Sequence, residues 1–267
     1  MRILHIGNTA GVASVIAKFM DRIFDTKSLV VMREVFDKYG LTTYGEVWNC
    51  GAKVFALKCL WLARKFDIVH VHDFDKLVPW LKCLYRNKPA ILHYHGTRIR
   101  KRWKEREKFW SKADVVFVST PDLLEDAPDH AIYMPNPVDT DLFYPMTNCN
   151  RKPKSALAFR YHLDEKKAMS YAKKYSLQLT ILERNIPHKE MPKIFNQYEY
   201  YVDRTEIPSL SKTALEALAC GLSVICWDGE LVEKLPTEHK PENVAYKIYN
   251  IYSMSLQEMR MFKAPLF

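Results

Sequence analysis

The stretch that most constrains this chain is Pro208-Ser209-Leu210-Ser211-Lys212-Thr213-Ala214-Leu215-Glu216-Ala217-Leu218-Ala219-Cys220-Gly221-Leu222-Ser223-Val224-Ile225. It reads as a loop, a short helix, a glycine stop and a buried strand. Ser209 or Ser211 caps the helix, because a side-chain oxygen accepts from the free N–H groups of the first turn. Gly221 ends it in the left-handed conformation that glycine tolerates. Ser223-Val224-Ile225-Cys226 is apolar enough for a buried strand. A helix N-terminus of this kind attracts anions through unpaired N–H groups and a partial positive charge. Glu216, further down the same helix, is placed to accept hydrogen bonds from the sugar hydroxyls of a ligand whose phosphates sit at that end.

With 267 residues, 48% of them hydrophobic, the chain can form one large domain or two small ones. No apolar run reaches the roughly 18 residues of a membrane span. Met1-Arg2-Ile3-Leu4-His5-Ile6-Gly7 turns polar too soon for a signal peptide and reads as a first strand. The six cysteines, at 50, 59, 83, 149, 220 and 226, form no CxxC pair. Reduced thiols in a cytoplasmic protein are expected rather than zinc or disulfides. The net charge of +9 points to an anionic partner without choosing among nucleotide, lipid headgroup, nucleic acid and acidic polysaccharide.

Arg2–Ile6, a glycine-bearing loop with Gly7 and Gly11, and a helix over 15–24 open a Rossmann-like unit, although the spacing is not GxGxxG. Residues 28–32 are a second strand, and 33–49 an irregular connection. Residues 52–65 are helical, with Val54, Leu57, Leu60, Trp61 and Arg64 on related faces. Asp67-Ile68-Val69-His70-Val71-His72 and Pro89-Ala90-Ile91-Leu92-His93-Tyr94-His95-Gly96 are buried strands with polar carboxyl ends. Ligands of open parallel sheets bind beyond such ends, which makes His72, Asp73 and His95 candidates, with His93 on the same face as His95. The basic segment 98–112 is helical in character and carries Trp103 and Trp110 on one face. That pattern suits an anionic membrane surface or a polyanionic acceptor, and equally a solvated helix whose aromatic face packs on the sheet. No nucleic-acid motif accompanies the charge. Pro135, Pro137 and Pro145 enforce an extended linker, placing a domain boundary near 145–153. In the second half, 155–160, 177–182 and 198–202 read as strands, and 164–175 and 187–195 as helices. A terminal helix covers 244–262.

Leu215-Glu216-Ala217-Leu218-Ala219-Cys220-Gly221-Leu222-Ser223-Val224 resembles the LEAMACGLPVV signature of retaining GT4-type glycosyltransferases of the GT-B fold. Asp67–His72, His93–Gly96 and Tyr133-Met134-Pro135-Asn136-Pro137-Val138-Asp139-Thr140-Asp141-Leu142-Phe143-Tyr144-Pro145 resemble further family segments, the last with Pro137 in place of a glycine. The resemblance implies an α/β fold of two Rossmann-like domains facing across a cleft, the C-terminal one reduced. Its divisions would be 1–148 on the acceptor side, 149–245 for the nucleotide-sugar, and 246–267 as a helical segment returning to the first domain. It implies His95 and an acid in the catalytic roles, and Arg160, Lys166, Ser211, Lys212, Thr213 and Glu216 on the donor. Gly11, His72 and Asp73 fall on the acceptor side.

The pattern also departs from the family. The first member of its glutamate pair would fall on Pro208. Either Glu206, two residues earlier, takes that role through a short insertion, or the role is lost. The Gly-Phe-Gly loop is replaced by Ile207-Pro208-Ser209-Leu210-Ser211. The resulting expectation is a metal-independent, retaining transferase without a cofactor, using a UDP- or GDP-sugar and a glycan or lipid-linked acceptor. It would be cytoplasmic, peripheral to a membrane through 98–112, and without nucleic acid. Asp73-Phe74-Asp75 is the single DxD and is read as a chance match. A non-catalytic nucleotide-sugar-binding protein and a GT-B nucleotide-sugar epimerase are the alternatives.

Overall fold

A computed structural model describes residues 1–261. The chain divides into two compact units, one formed by Met1–Pro137 with the chain from Pro241 onward, the other by Val138–Lys240. The division therefore falls at Pro137/Val138 and Lys240/Pro241 rather than at 148/149 and 245/246. The extended segment after Pro137 belongs to the second unit because its apolar side chains do: Val138 and Phe143 are buried in that unit's core.

The first unit is a seven-stranded, wholly parallel sheet in the order β3-β2-β1-β4-β5-β6-β7. The strands are β1 Arg2–Ile6, β2 Lys27–Arg33, β3 Glu46–Trp48, β4 Ile68–His72, β5 Ala90–Tyr94, β6 Val115–Val118 and β7 Ala131–Tyr133. Its central strands are buried on both faces, as in a sheet covered on both sides. Leu4, Ile6, Val69, Val71, Leu92, Tyr94, Val116 and Val118 pack toward α2 (Ala52–Ala63), α3 (Val78–Leu84) and α4 (Trp103–Trp110). Ile3, Ile68, Ile91 and Phe117 on the opposite face pack against α1 (Val12–Phe24) and α8 (Pro241–Met261), which buries Val244, Ala245, Ile248 and Tyr252 there. Of the predicted segment 246–267, residues 262–267 lie outside the described residues.

Two helices differ from the sequence reading. In α2 the buried stripe is Phe55, Cys59 and Ala63, while Val54, Leu57 and Trp61 face outward. Only a stripe with i, i+4, i+8 spacing fits the sheet, and the more numerous apolar residues of this helix lie on its other side. In the basic segment the helix covers only α4, and its tryptophans turn inward. Trp103 is buried, donating its Nε1–H to the Leu123 carbonyl at 3.0 Å, and Trp110 donates to the Trp103 carbonyl at 2.8 Å. They are therefore withheld from any membrane surface, and the exposed side chains of α4 and its lead-in are charged ones of both signs, Lys101, Arg102, Lys104 and Lys108 with Glu105 and Glu107.

The exposed aromatic residues lie nearby instead. Leu57 and Trp61 of α2, with Trp80 and Leu84 of α3, are 52–67% exposed. The helices are tied by the Tyr85 hydroxyl donating to the Leu60 carbonyl at 2.9 Å. Arg64 and Lys65 both lie over the Trp61 ring, at 4.2 and 4.9 Å. Residues 47–66 and 76–104 contain no acidic side chain.

The second unit has a five-stranded sheet, β12-β11-β10-β8-β9, parallel except for β12. Its strands are β8 Ser155–Phe159, β9 Gln178–Leu182, β10 Tyr200–Val202, β11 Ser223–Ile225 and β12 Leu231–Val232. The helices are α5 Glu165–Lys174, α6 Met191–Phe195 and α7 Lys212–Ala219. Gly221 ends α7 at φ +79°, and a Cβ there would meet Pro145 at 3.2 Å. No helix among the described residues is long and apolar enough to cross a membrane.

Candidate functional site

Strand order reverses between β1 and β4 in the first unit and between β8 and β10 in the second. Such switch points leave a crevice at the carboxyl ends of the strands, and the candidate residues of each unit collect there.

In the second unit, β10 runs into Asp203, which is buried. Its carboxylate accepts from the Ser211 N–H at 2.8 Å and from the Ser211 hydroxyl at 2.6 Å. Burial pushes the Asp203 carboxyl above its ordinary range, and the Ser211 bonds oppose that. Ser211 in turn caps α7 by accepting from the Ala214 N–H at 3.0 Å. Ser209, the other cap candidate, is engaged by Arg204 at 2.8 Å. Among the described residues the N–H groups of Lys212 and Thr213 make no bond to the protein, and they remain as the anion-binding capacity of this helix end. Thr213 itself is buried.

Lys212 is not the free cation the sequence suggests. It is buried, and its ammonium lies 3.0 Å from Glu216 Oε1, the i,i+4 partner on the same helix. His188 Nε2 reaches the same oxygen at 3.0 Å. Burial alone would push the Glu216 carboxyl up. Lys212 and His188 outweigh it and hold it down to about 2, so the carboxylate is ionised at neutral pH. Both contacts go to Oε1, and among the described residues Oε2 takes no protein donor. His188 carries no family motif in the sequence, and its role appears only once the segment after β9 folds against α7.

The remaining donor candidates are exposed. Arg160 follows β8 and is held by Glu165 at 2.9 Å and Glu183 at 3.2 Å. Lys166 lies one residue beyond Glu165, exposed in the first turn of α5, its N–H capped by Asp164 at 2.9 Å. Glu206 is exposed and meets His162 Nδ1 at 3.4 Å.

In the first unit, Gly7 and Gly11 bracket the loop between β1 and α1. Gly7 has φ +90°, and a Cβ there would lie 2.6 Å from the His72 carbonyl oxygen, so the loop passes against β4 with no room to spare. Gly11 backs onto Leu41. Thr9 donates to Asp73 Oδ2 at 2.7 Å, and Asp73 Oδ1 accepts from the His95 N–H at 3.1 Å. His72 Nδ1 lies 3.0 Å from His95 Nε2. The structure thus gathers His72, Asp73 and His95 with His93, and adds His5 and His70 to the cluster.

His5 pairs in register with His70, and His72 with His93, so one face of the sheet carries His5, His70, His72, His93 and His95. His5 Nδ1 lies 3.2 Å from His72 Nε2, and His70 Nδ1 lies 2.6 Å from the Tyr252 hydroxyl. Burial, reinforced by neighbouring histidines, drives His70, His72 and His93 well below the ordinary imidazole range. Burial takes His5 down to about 3 against the pull of Asp21. It also lowers His95, against Asp73 and Asn136. Burial thus favours the neutral form of all five rings.

Asp75 is separate from this cluster. It is buried on the opposite face of the sheet and accepts from Arg106 Nε at 2.7 Å and from the Tyr94 hydroxyl at 2.9 Å, with a second Arg106 contact through Nη2. The Asp73-Phe74-Asp75 pattern therefore holds two acids with different partners and does not form a two-carboxylate ligand.

No protein-family model matches the chain, and no curated sequence relative is found. Solved structures do resemble it. Sucrose-phosphate synthase from Thermosynechococcus elongatus is 12% identical at a TM-score of 0.53, over 97% of this chain and 92% of that one. UDP-GlcNAc 2-epimerase from Neisseria meningitidis, bound to UDP-GlcNAc, is 14% identical at 0.51, over 97% and 94%. The N-terminal domain of Candida albicans trehalose-6-phosphate phosphatase is 10% identical at 0.51, over 97% and 92%. The chain is an α/β protein with the GT-B fold.

Proposed function

We propose that this protein transfers a glycosyl group from a nucleotide-sugar to an acceptor, with the donor held by the second unit. The observation that carries this reading is the start of α7: beside the Ser211 cap, which takes the Ala214 N–H, the N–H groups of Lys212 and Thr213 have no partner among the described residues, about one turn above a carboxylate held ionised by Lys212 and His188. The N–H groups suit a diphosphate. Glu216 Oε2, free of protein donors, suits the hydroxyls of a ribose. As the sugar leaves, negative charge grows on the diphosphate. Arg160, Lys166 and the helix end stabilise it, and electrostatic stabilisation of developing charge is usually the largest catalytic contribution. Arg160 would exchange its glutamate partners for a bidentate phosphate contact. Retention at the anomeric carbon, independence from metal in the transfer step, and catalytic roles for His95 and Glu206 belong to this proposal. Gly11, His72 and Asp73 are assigned to the acceptor side.

An acceptor at an anionic lipid surface fits the outer face of α2 and α3. There Leu57, Trp61, Trp80 and Leu84 are exposed among Lys53, Lys58, Arg64, Lys65, Lys82 and Arg86. Indole rings and cations together suit the headgroup region. On this reading, membrane association would use a surface other than the tryptophans of 98–112.

The test is a thermal-shift screen of UDP-, GDP-, ADP- and dTDP-sugars on the wild type and Arg160→Ala. A donor that binds only the native state raises the melting temperature with its concentration. One nucleotide class should stabilise the wild type and act more weakly on the variant. If no class does, the donor reading fails. The likeness to an epimerase of the same fold favours one second reading, nucleotide-sugar epimerisation, which predicts product with no acceptor added.

A further inference from the structure

We infer that the histidine ladder of the first unit contains a divalent-metal site, with His72 Nδ1, His95 Nε2 and one ring nitrogen of His93 as ligands for Zn2+ or a related late first-row cation. These residues each place a ligand atom within 4.8 Å of the others. His72 Nδ1 and His95 Nε2 are 3.0 Å apart. Two nitrogens bound tetrahedrally at the usual Zn–N length lie roughly 3.3–3.4 Å apart, so the pair need open by only a few tenths of an ångström. Imidazole is a preferred ligand for zinc, copper and nickel.

Three further observations support a ligand at this place. His93 is fully buried, yet neither of its ring nitrogens has a hydrogen-bond partner. A buried polar group without a partner is costly, and a ring with one lone pair and one N–H cannot satisfy both ends on Phe117 and its histidine neighbours. A metal would take the lone pair. The surrounding contacts are also those a ligated imidazole needs. If His72 binds through Nδ1, its Nε2–H donates to His5 Nδ1 at 3.2 Å and fixes that tautomer. Asp73, bonded to the His95 N–H, supplies a negative charge beside the site.

The alternative trio, His5, His70 and His72, also has atoms within 4.8 Å of one another, but it suits a metal less well. All three rings are wholly buried, which leaves a hydrated ion no path to them. His95 is only partly buried, which gives the first trio a path for a hydrated ion. It also leaves a fourth position for water, as in three-histidine zinc sites. The site departs from the sequence expectation of no metal and gives His72 and His95 a ligand role in place of those proposed for them above, and it stands independently of the donor reading in the second unit.

The test uses the full chain without an affinity tag, stripped with a chelator and titrated with Zn2+ against a chromophoric competitor, and separately loaded with Co2+. One Zn2+ per chain should bind. The cobalt form should show the strong visible bands of a four-coordinate site. His93→Gln and His95→Gln should each weaken Zn2+ at least about tenfold, while His130→Gln, an exposed histidine on a distant loop, leaves it unchanged. Absence of stoichiometric binding overturns the inference and leaves a hydrogen-bonded ladder. Binding that survives both ladder variants overturns it too, as an adventitious surface ion. If the variants fail to fold, the cobalt spectrum of the wild type decides: weak six-coordinate bands refute the site.

Discussion

Replacing Glu216 by Gln tests the electrostatic core of the second unit. In the folded chain this carboxyl titrates at about 2 against an ordinary 4.5. At roughly 1.4 kcal/mol per pH unit of difference, the ionised form contributes about 3 kcal/mol to folding. The sign follows from the depression: the contribution is complete above pH 4.5 and is lost as the pH falls from there toward 2. The variant also leaves the Lys212 ammonium, itself buried, facing a neutral amide. Removing one partner of a buried pair costs about 3–5 kcal/mol, so a loss of about 3 kcal/mol at pH 7 is expected as the lower end. Urea unfolding followed by far-UV circular dichroism, at intervals from pH 7 to pH 2.5, measures both effects. The gap between wild type and Glu216→Gln should be wide at pH 7 and narrow steadily below pH 4.5. Other carboxylates titrate in both proteins and cancel in the difference. Curves that stay parallel across the whole range, or a gap below about 1 kcal/mol at pH 7, refute the reasoning.

Arg106→Ala should destabilise by about 3–5 kcal/mol, because it strands the buried Asp75 carboxylate; the double variant Asp75→Asn/Arg106→Met should recover part of this in the same urea assay. Gly7→Ala should lower the melting temperature well beyond a surface substitution, since its Cβ would sit 2.6 Å from the His72 carbonyl at φ +90°; an unchanged melting temperature would show that the loop relaxes freely. Trp61→Ala with Trp80→Ala should abolish flotation with phosphatidylglycerol vesicles while leaving the melting temperature within a degree or two, because both rings are more than half exposed. Trp103→Ala should instead destabilise by about 3–5 kcal/mol as a buried aromatic.

Much of the architecture was written locally. Strand and helix identities in both halves followed from apolar runs and glycine or proline punctuation, and the α7 unit came out with its cap, its stop and its following strand. These are short-range effects: a hydroxyl three residues from an N–H, a glycine at a left-handed position. The edge strands β3, β7 and β12 and the helix α3 were not legible in the same way, because the strands are only two or three residues long and α3 only seven.

The sequence by itself determined the succession of strands and helices and the types of residue at the strand ends. Tertiary structure decided which of them meet. His70, His72, His93 and His95 alternate along two strands and so share a face with each other, but only the parallel register sets His5 beside His70 and His72 beside His93. Likewise the amphipathic pattern of α2 and the tryptophans of α4 were visible, while the face each buries depended on the shape of the sheet beneath. Lys212 read as a phosphate-binding cation until α7 packed beside His188. Inside the fold, the nearest compensating charge is Glu216, and desolvation makes that pairing obligatory. Periodicity is a property of neighbours along the chain, whereas pairing and burial depend on what the rest of the chain brings to the same place.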